Sequence, residues 1–261
     1  MNDNNLIHPS AVISAEAILA EDVKVGPYAV IGPSVQIGAG SEIGSHCVIK
    51  GPTVMGANNR IYPFASIGDD PQDKKYGGEE THLEIGEGNT IREYCTINRG
   101  TQDDEGITRV GDDNWLMAYS HIAHDCQLGS HIVMVNGSSL AGHVHVDDYV
   151  ILSAFTAIHQ FCRIGAHSLI GAYGGVGQDV PPYILVFGQP PTPRGINTEG
   201  LKRRDFSAEQ IRNLKSAYRL LYRKGLSIAA AREQIAELAS EQPELRIIVE
   251  FIDRSERGIF R

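Results

Sequence analysis

From Ile7 onward, every sixth residue of this 261-residue chain is aliphatic. The series runs without a miss from Ile7 to Ile67, resumes for Ile85, Ile91 and Ile97, and continues from Val110 to Val176. No helix or ordinary strand has that period, and a fixed short repeat of this kind specifies a solenoid. Each hexapeptide supplies one short strand and one corner. A single strand cannot bury its aliphatic residue alone, whereas stacked windings bury a continuous core and join their backbones from turn to turn. Of the 26 residues that follow the aliphatic position, 12 are glycine, which is the expectation for a turn with a positive backbone dihedral.

Two interruptions break the series, a polar stretch over 69–82 that resumes in phase and another over 99–108 that moves the phase by one residue. Insertions in a solenoid project from an edge and often carry function. The cysteines, Cys47, Cys95, Cys126 and Cys162, all fall four places after an aliphatic marker, a slot shared with Ala29, Ser41 and Thr156. That slot wants a small inward side chain, so they read as packed free thiols. The repeat ends near Val180, and Gly188 to Pro193 reads as an extended, proline-stiffened crossing. Beyond it the period becomes helical. Ser207 and Gln210 form a capping box, a second helix spans about 227–239, and a third opens at Pro243. The domains expected are therefore a β-solenoid over 1–190 and a helical appendage over 191–261.

Composition narrows the function. Residues 1–190 hold 9 Lys/Arg against 22 Asp/Glu, whereas 191–261 hold 14 against 10, so an acidic body carries a basic end. That distribution argues against general nucleic-acid binding and leaves room for docking something acidic. No apolar run reaches the ~20 residues a membrane helix needs. Residues 1–5 have neither the basic region nor the apolar core of a signal peptide. The cytoplasm is the expected location.

Seven of the ten histidines lie between 121 and 167. The repeat resembles that of the left-handed β-helix acyltransferases, which implies three hexapeptides to a triangular winding of 18 residues; on that geometry His124, Gly142 and Gln160 form one column, and His121, His143 and His159 lie one or three places off it. Three readings of the cluster stay open on the residues alone. Such histidines can simply be solvated corners, as His46, His131 and His167 are expected to be. They can hold zinc, since histidine is the commonest metal ligand. Or His124 can act as a general base beside a glycine whose missing side chain leaves space and whose N–H can hold an oxyanion.

The motifs Ala123-His124-Asp125-Cys126, Ala141-Gly142-His143-Val144, Ile158-His159-Gln160-Phe161-Cys162, Gly165-Ala166-His167 and Asn197 to Arg204 resemble those of the UDP-N-acetylglucosamine O-acyltransferases, over essentially the whole chain. The resemblance implies a left-handed parallel β-helix with a C-terminal α-helical appendage. It implies transfer of a 3-hydroxyacyl chain from acyl carrier protein to the glucosamine 3-hydroxyl of UDP-N-acetylglucosamine, the first step of lipid A biosynthesis, with no metal and no cofactor. By the same resemblance His124 is the base, the Gly142 N–H the oxyanion donor and Asp125 a group that orients the base. Gln72 and Asp73 touch the sugar, and Lys75, His121, His143, His159 and Gln160 bind substrate. Asn197, Glu199, Arg203 and Arg204 hold the nucleotide and its phosphates, and Ala172 limits acyl length. The family is a homotrimer with sites between subunits, which would account for the first loop and the His124 column sharing a pocket. The runner-up is a metal-dependent hexapeptide enzyme like the γ-class carbonic anhydrases.

Overall fold

The structure, a computed structural model, describes residues 6–261. The reading of residues 1–5 as no signal peptide lies outside them. Strands of two to five residues line three flat faces. The first holds nine, from Val12–Ile13 to Gly175–Val176, and the second eight, from Ile18–Leu19 to Arg163–Ile164. The third holds ten, from Lys24–Val25 to the hairpin Ile184–Phe187 and Thr192–Ile196. Every pairing but that hairpin is parallel and joins one winding to the next, giving a left-handed β-helix.

The register follows the repeat. Ile13 pairs with Ile31 at the regular 18-residue interval, and Ile122, Leu140 and Ile158 pair in succession. Across the first insertion Ile67 pairs with Ile97, and across the second Ile97 pairs with Ile122, so the inserts are absorbed without disturbing the stack. The aliphatic markers point inward: Ile31, Ile67, Ile97, Ile122, Leu140 and Ile158 are all at most 2% exposed. Burial of each stabilises the coil by about 1.5–3 kcal/mol. The first markers are the exceptions, Ile7 exposed and Ile13 and Leu19 half-buried at the start of the coil. The four cysteines are free and buried as expected, with Cys47, Cys95 and Cys126 donating to inner carbonyls.

The corners differ from the sequence expectation. The glycine after the aliphatic is not the positive-φ residue, Gly68 excepted. At all of these positions but Gly177 it is there because successive windings nearly touch: a Cβ on Gly38 would sit 2.6 Å from the carbonyl carbon of Gly56, and one on Gly111 2.6 Å from the Gly129 oxygen. Positive φ falls two residues later, on Tyr28, His46, Phe64, Tyr94, Asp125, His143, Tyr149 and their equivalents. These side chains stack along the outer edges. Tyr28, His46, Phe64, Tyr94 and Tyr119 form one ladder with ring centroids 5.0–5.2 Å apart. His131, Tyr149, His167 and Tyr183 form another, at 4.7–5.5 Å. Each such pair adds about 0.5–1.5 kcal/mol beyond simple burial, which offsets the cost of a left-handed backbone at a bulky residue. His46 and His131 are exposed corners, as expected, and serve as rungs of these ladders, whereas His167 is a half-buried rung.

The expected boundary at 190/191 falls inside the hairpin. Thr192–Ile196 pairs antiparallel with Ile184–Phe187, itself paired with Leu169–Ile170, so the solenoid sheet extends to Ile196. Four helices follow: α1 Thr198–Lys202, α2 Ala208–Tyr222, α3 Ile228–Leu238 and α4 Arg246–Arg254. Ser207 and Gln210 make the reciprocal capping bonds at 3.1 and 2.9 Å, and Ser227 caps α3. Pro243 opens a short 3-10 turn that leads into α4. Leu214, Leu221, Ile235, Leu245 and Ile248 bury the helices against one another. No helix among the described residues is long and apolar enough to cross a membrane.

Candidate active site

Three features meet on the edge between the first and second faces. Both insertions leave the coil there, the first between Ser66–Asp69 and His82–Ile85 and the second between Thr96–Asn98 and Ile107–Val110. The corner after His121–Ile122, which carries His124 and Asp125, lies on the next winding. The loops therefore fold over the histidine column because all three occupy one edge at adjacent heights.

His124, Gly142 and Gln160 do form a column: the His143 N–H donates to the His124 carbonyl at 3.0 Å and the Phe161 N–H to the Gly142 carbonyl at 3.2 Å. The space left by the missing side chain of Gly142 is not vacant. The His124 ring fills it, so that a Cβ on Gly142 would stand 2.5 Å from Cε1 and 2.7 Å from Nε2. Among the described residues the Gly142 N–H donates to no protein acceptor.

Asp125 adopts φ 59°, which turns its carboxylate back to the side of its neighbour, and Oδ2 lies 2.8 Å from His124 Nδ1. The carboxylate is 1% exposed. The Thr101 N–H donates to Oδ1 at 2.8 Å, the Thr101 hydroxyl to Oδ2 at 2.6 Å, and the Asp125 N–H to Thr108 Oγ1 at 2.8 Å. Burial alone would push this carboxyl up, but the bonds from His124 and Thr101, with His143 nearby, outweigh it and hold the group below the usual carboxylate range. Asp125 is thus a fixed anion beside the His124 imidazole, with Nδ1 on Oδ2 and Nε2 against the Gly142 backbone.

A cleft of about 740 Å³ opens in front of the pair. Of the residues expected to form the site it gathers Gln72, Asp73, Lys75, His124, His143 and Gln160, all from one chain. The sharing of a pocket by the first loop and the His124 column therefore needs no second subunit. Lys74, Asp103, Asp104 and Phe161 line it too. Sequence reasoning missed these four together with Thr101; the two inserts were the signal for Lys74, Thr101, Asp103 and Asp104, and adjacency to Gln160 the signal for Phe161. Phe161 stacks on the His143 ring at 4.5 Å, and Asp104 Oδ2 lies 3.0 Å from His143 Nδ1. His143 stands edge-on to His124 at 5.1 Å. The atoms of His124, Asp125 and His143 that could ligate a metal all lie within 4.8 Å of one another.

The remaining expected residues lie elsewhere in the chain. His121 is on the first face one residue before Ile122, its Nδ1 2.7 Å from Thr96 Oγ1; burial, with His124 alongside, pulls it below the ordinary imidazole range. His159 is exposed, with Nδ1 3.1 Å from the Gln160 carbonyl. Ala172 is exposed on the edge between the third and first faces, across the first face from His124. Between them the outward row His121, Ser139, Ala157, Gly175 shrinks to no side chain, leaving a bare strip along the first face.

Asn197, Glu199, Arg203 and Arg204 sit in and around α1, against the edge between the second and third faces. Asn197 caps α1 through its oxygen and donates one amide hydrogen to the His167 carbonyl at 3.0 Å. Glu199 pairs with Lys202 at 2.8 Å, Arg203 is exposed, and the Arg204 guanidinium lies 4.8 Å over the Tyr149 ring. None of the four lines the His124 cleft of its own chain.

Comparisons with known proteins agree with this architecture. Residues 179–260 match the family model for UDP-N-acetylglucosamine O-acyltransferase domain 2, and residues 16–51 match the bacterial transferase hexapeptide model of six repeats. The acyl-[acyl-carrier-protein]–UDP-N-acetylglucosamine O-acyltransferase of a Janthinobacterium species is 54% identical over 261 residues, covering 98% of this chain and 100% of its own. That of Thiobacillus denitrificans is 51% identical over 255 residues, covering 98% and 99%. The solved UDP-N-acetylglucosamine acyltransferase of Francisella novicida superposes with a TM-score of 0.96 at 49% identity, over 98% of this chain and 94% of its own. At that identity over nearly the full length of both partners, the chain belongs to the UDP-N-acetylglucosamine O-acyltransferase family.

Proposed function

We propose that this protein transfers a 3-hydroxyacyl chain from acyl carrier protein to the glucosamine 3-hydroxyl of UDP-N-acetylglucosamine, opening lipid A biosynthesis in the cytoplasm without a metal or cofactor. The observation that carries the chemistry is the Asp125–His124 pair at 2.8 Å, with the Gly142 backbone packed against the imidazole. Asp125 holds the His124 tautomer whose Nε2 faces the cleft. Nε2 takes the proton of the sugar hydroxyl as its oxygen attacks the thioester carbonyl, a step worth roughly 10²–10⁴-fold. The Gly142 N–H receives the oxyanion. The imidazolium then returns the proton to the departing thiolate.

Gln72, Asp73, Lys75, His143 and Gln160 surround the acceptor sugar, with His121 and His159 at its margins. The bare strip from His121 to Gly175 suits a lipid chain, and Ala172 on its far border suits a limit on length. Glu199, Arg203, Arg204 and the spare amide hydrogen of Asn197 are apt partners for a nucleotide diphosphate. Because they lie off the His124 cleft of their own chain, the reading includes a homotrimer in which a neighbour brings them to it. Arg212, Lys215, Arg219, Arg223 and Lys224 on and after α2 offer an acidic carrier protein a basic surface.

The test is mass spectrometry of the product formed from UDP-N-acetylglucosamine and a mixed pool of hydroxyacyl carrier proteins. A 3-O-hydroxyacyl ester that disappears with His124→Ala and persists after chelator treatment is the expected result. An ester formed equally by His124→Ala, or acylation elsewhere on the sugar, would overturn it.

A further inference from the structure

We infer that the His124–Asp125–His143 cluster is an inhibitory site for a divalent transition ion of the zinc type. The second histidine supports this. The catalytic reading asks for one imidazole against Asp125, yet His143 also turns a ring nitrogen on that carboxylate, with Nε2 3.7 Å from Oδ2. Its other nitrogen, Nδ1, is held by Asp104 Oδ2 at 3.0 Å. A histidine fixed at one nitrogen by a carboxylate, with its other nitrogen on a shared anion, has the arrangement of a metal ligand with its outer partner in place.

The dimensions suit the ion. Zinc bonds of about 2.0–2.2 Å in a tetrahedron place ligand atoms roughly 3.3–3.5 Å apart. The two separations to the shared carboxylate oxygen straddle that figure, 2.8 Å for His124 Nδ1 to Asp125 Oδ2 and 3.7 Å for His143 Nε2 to the same atom, and all the ligand atoms lie within 4.8 Å of one another. Rotation of the two rings toward Asp125 would draw the ligand atoms to the spacing of a tetrahedral ion. Thr101 keeps the carboxylate oriented through its N–H at 2.8 Å and its hydroxyl at 2.6 Å. The cleft in front supplies water as the fourth ligand. Two imidazoles and a carboxylate favour zinc, cobalt or nickel over magnesium or calcium.

Occupation would disable the proposed base. An ion bound at His124 Nδ1 takes the position of the proton now directed at Asp125, and the neutral ring then carries its hydrogen on Nε2. That nitrogen can no longer accept a proton from a hydroxyl. Inhibition rests on the acyl-transfer reading, whereas binding of the ion does not.

The experiment titrates the full-length, chelator-stripped protein with Co²⁺ and follows its visible ligand-field bands, then repeats acyl-transfer assays in Zn²⁺ with and without chelator. One ion per chain with four- or five-coordinate bands is expected. Asp104→Asn should weaken binding by about 10–100-fold, His143→Ala should abolish the bands, and His131→Gln in the distant ladder should leave them unchanged. Circular dichroism of each variant separates lost ligation from lost folding. Zn²⁺ should inhibit reversibly at the occupancy the cobalt titration defines. Octahedral bands only, or bands retained by folded His143→Ala, would overturn the site. A bound ion that leaves acyl transfer intact would overturn the inhibition. Absence of acyl transfer in metal-free protein would count against the proposed function and leave the binding result standing.

Discussion

Replacing Gly142 with alanine tests the closeness of backbone and base directly. The new methyl would lie 2.5 Å from His124 Cε1, 2.7 Å from Nε2 and 3.1 Å from Nδ1. Comfortable separations are about 3.5–4.0 Å, so the imidazole must retreat by roughly 1 Å. That stretches the 2.8 Å contact with Asp125 beyond hydrogen-bonding range. Gly142 does not have a positive φ, so the alanine backbone is unstrained and the oxyanion N–H stays in place. The loss should therefore fall on the base. Displacement on this scale costs about 10²-fold or more, and complete loss of base catalysis 10²–10⁴-fold. The assay is steady-state acyl transfer for Gly142→Ala, His124→Ala and the double variant, with urea unfolding of each. Overpacking should remove about 1–3 kcal/mol of stability. In the His124→Ala background the methyl has room, so the double variant should be no slower than His124→Ala alone. A folded Gly142→Ala enzyme within threefold of the parent, or one whose loss is equal in both backgrounds, would refute the reasoning.

Asp125→Asn should lower kcat by about 10²-fold or more with little change in KM, because the amide cannot both accept from Thr101 and His124 and keep its charge; steady-state kinetics beside a melting curve checks this. Ala172→Met should move preference toward shorter acyl donors, since each methylene beyond the new side chain forgoes about 0.8 kcal/mol of burial; rates across a donor series that match the parent would remove Ala172 from that role. His167 is driven by burial, with Arg204 nearby, from 6.5 down to about 4, and among the described residues its Nδ1 has no partner. The folded state then binds fewer protons than the unfolded one between those values, so the stability contribution is complete above about pH 6.5 and is lost as pH falls toward 4. Discounted for partial exposure, it is on the order of 1–2 kcal/mol. His167→Phe, which keeps the ring in its ladder, should flatten melting temperature against pH across that window, and an unchanged slope would contradict the assignment.

The coil was legible because its period leaves little freedom. A residue's place in the register fixes its face, so the four inward cysteines could be read from spacing, and with the 18-residue winding that the resemblance implies the His124, Gly142 and Gln160 column could be read as well. What could not be read was the inside of a corner. Glycine suggested positive φ, yet the packing of windings sets where glycine stands, and ring ladders let tyrosine, histidine and phenylalanine take the left-handed residue. The Asp125 to His124 bond was obscured for the same reason: strand neighbours diverge, but a left-handed residue turns its side chain back. Contacts from the loops, Thr101 to Asp125 and Asp104 to His143, depend on the path of a non-repeating segment and left no periodic trace. The hairpin ending at Ile196 was hidden by its prolines, and α1 by its length of five residues.

The uniformity of the windings makes height along the axis the coil's only internal coordinate. Removing or duplicating one complete triangular turn below the loops would preserve every inward contact while leaving the cleft and helices as they are. The same operation between the Gln160 turn and the hairpin would instead translate α1 to α4 by one strand spacing, about 4.8 Å, relative to the His124 cleft. Distance between the reacting centre and the helical cap is thus quantised, and a lineage can change it only in whole steps.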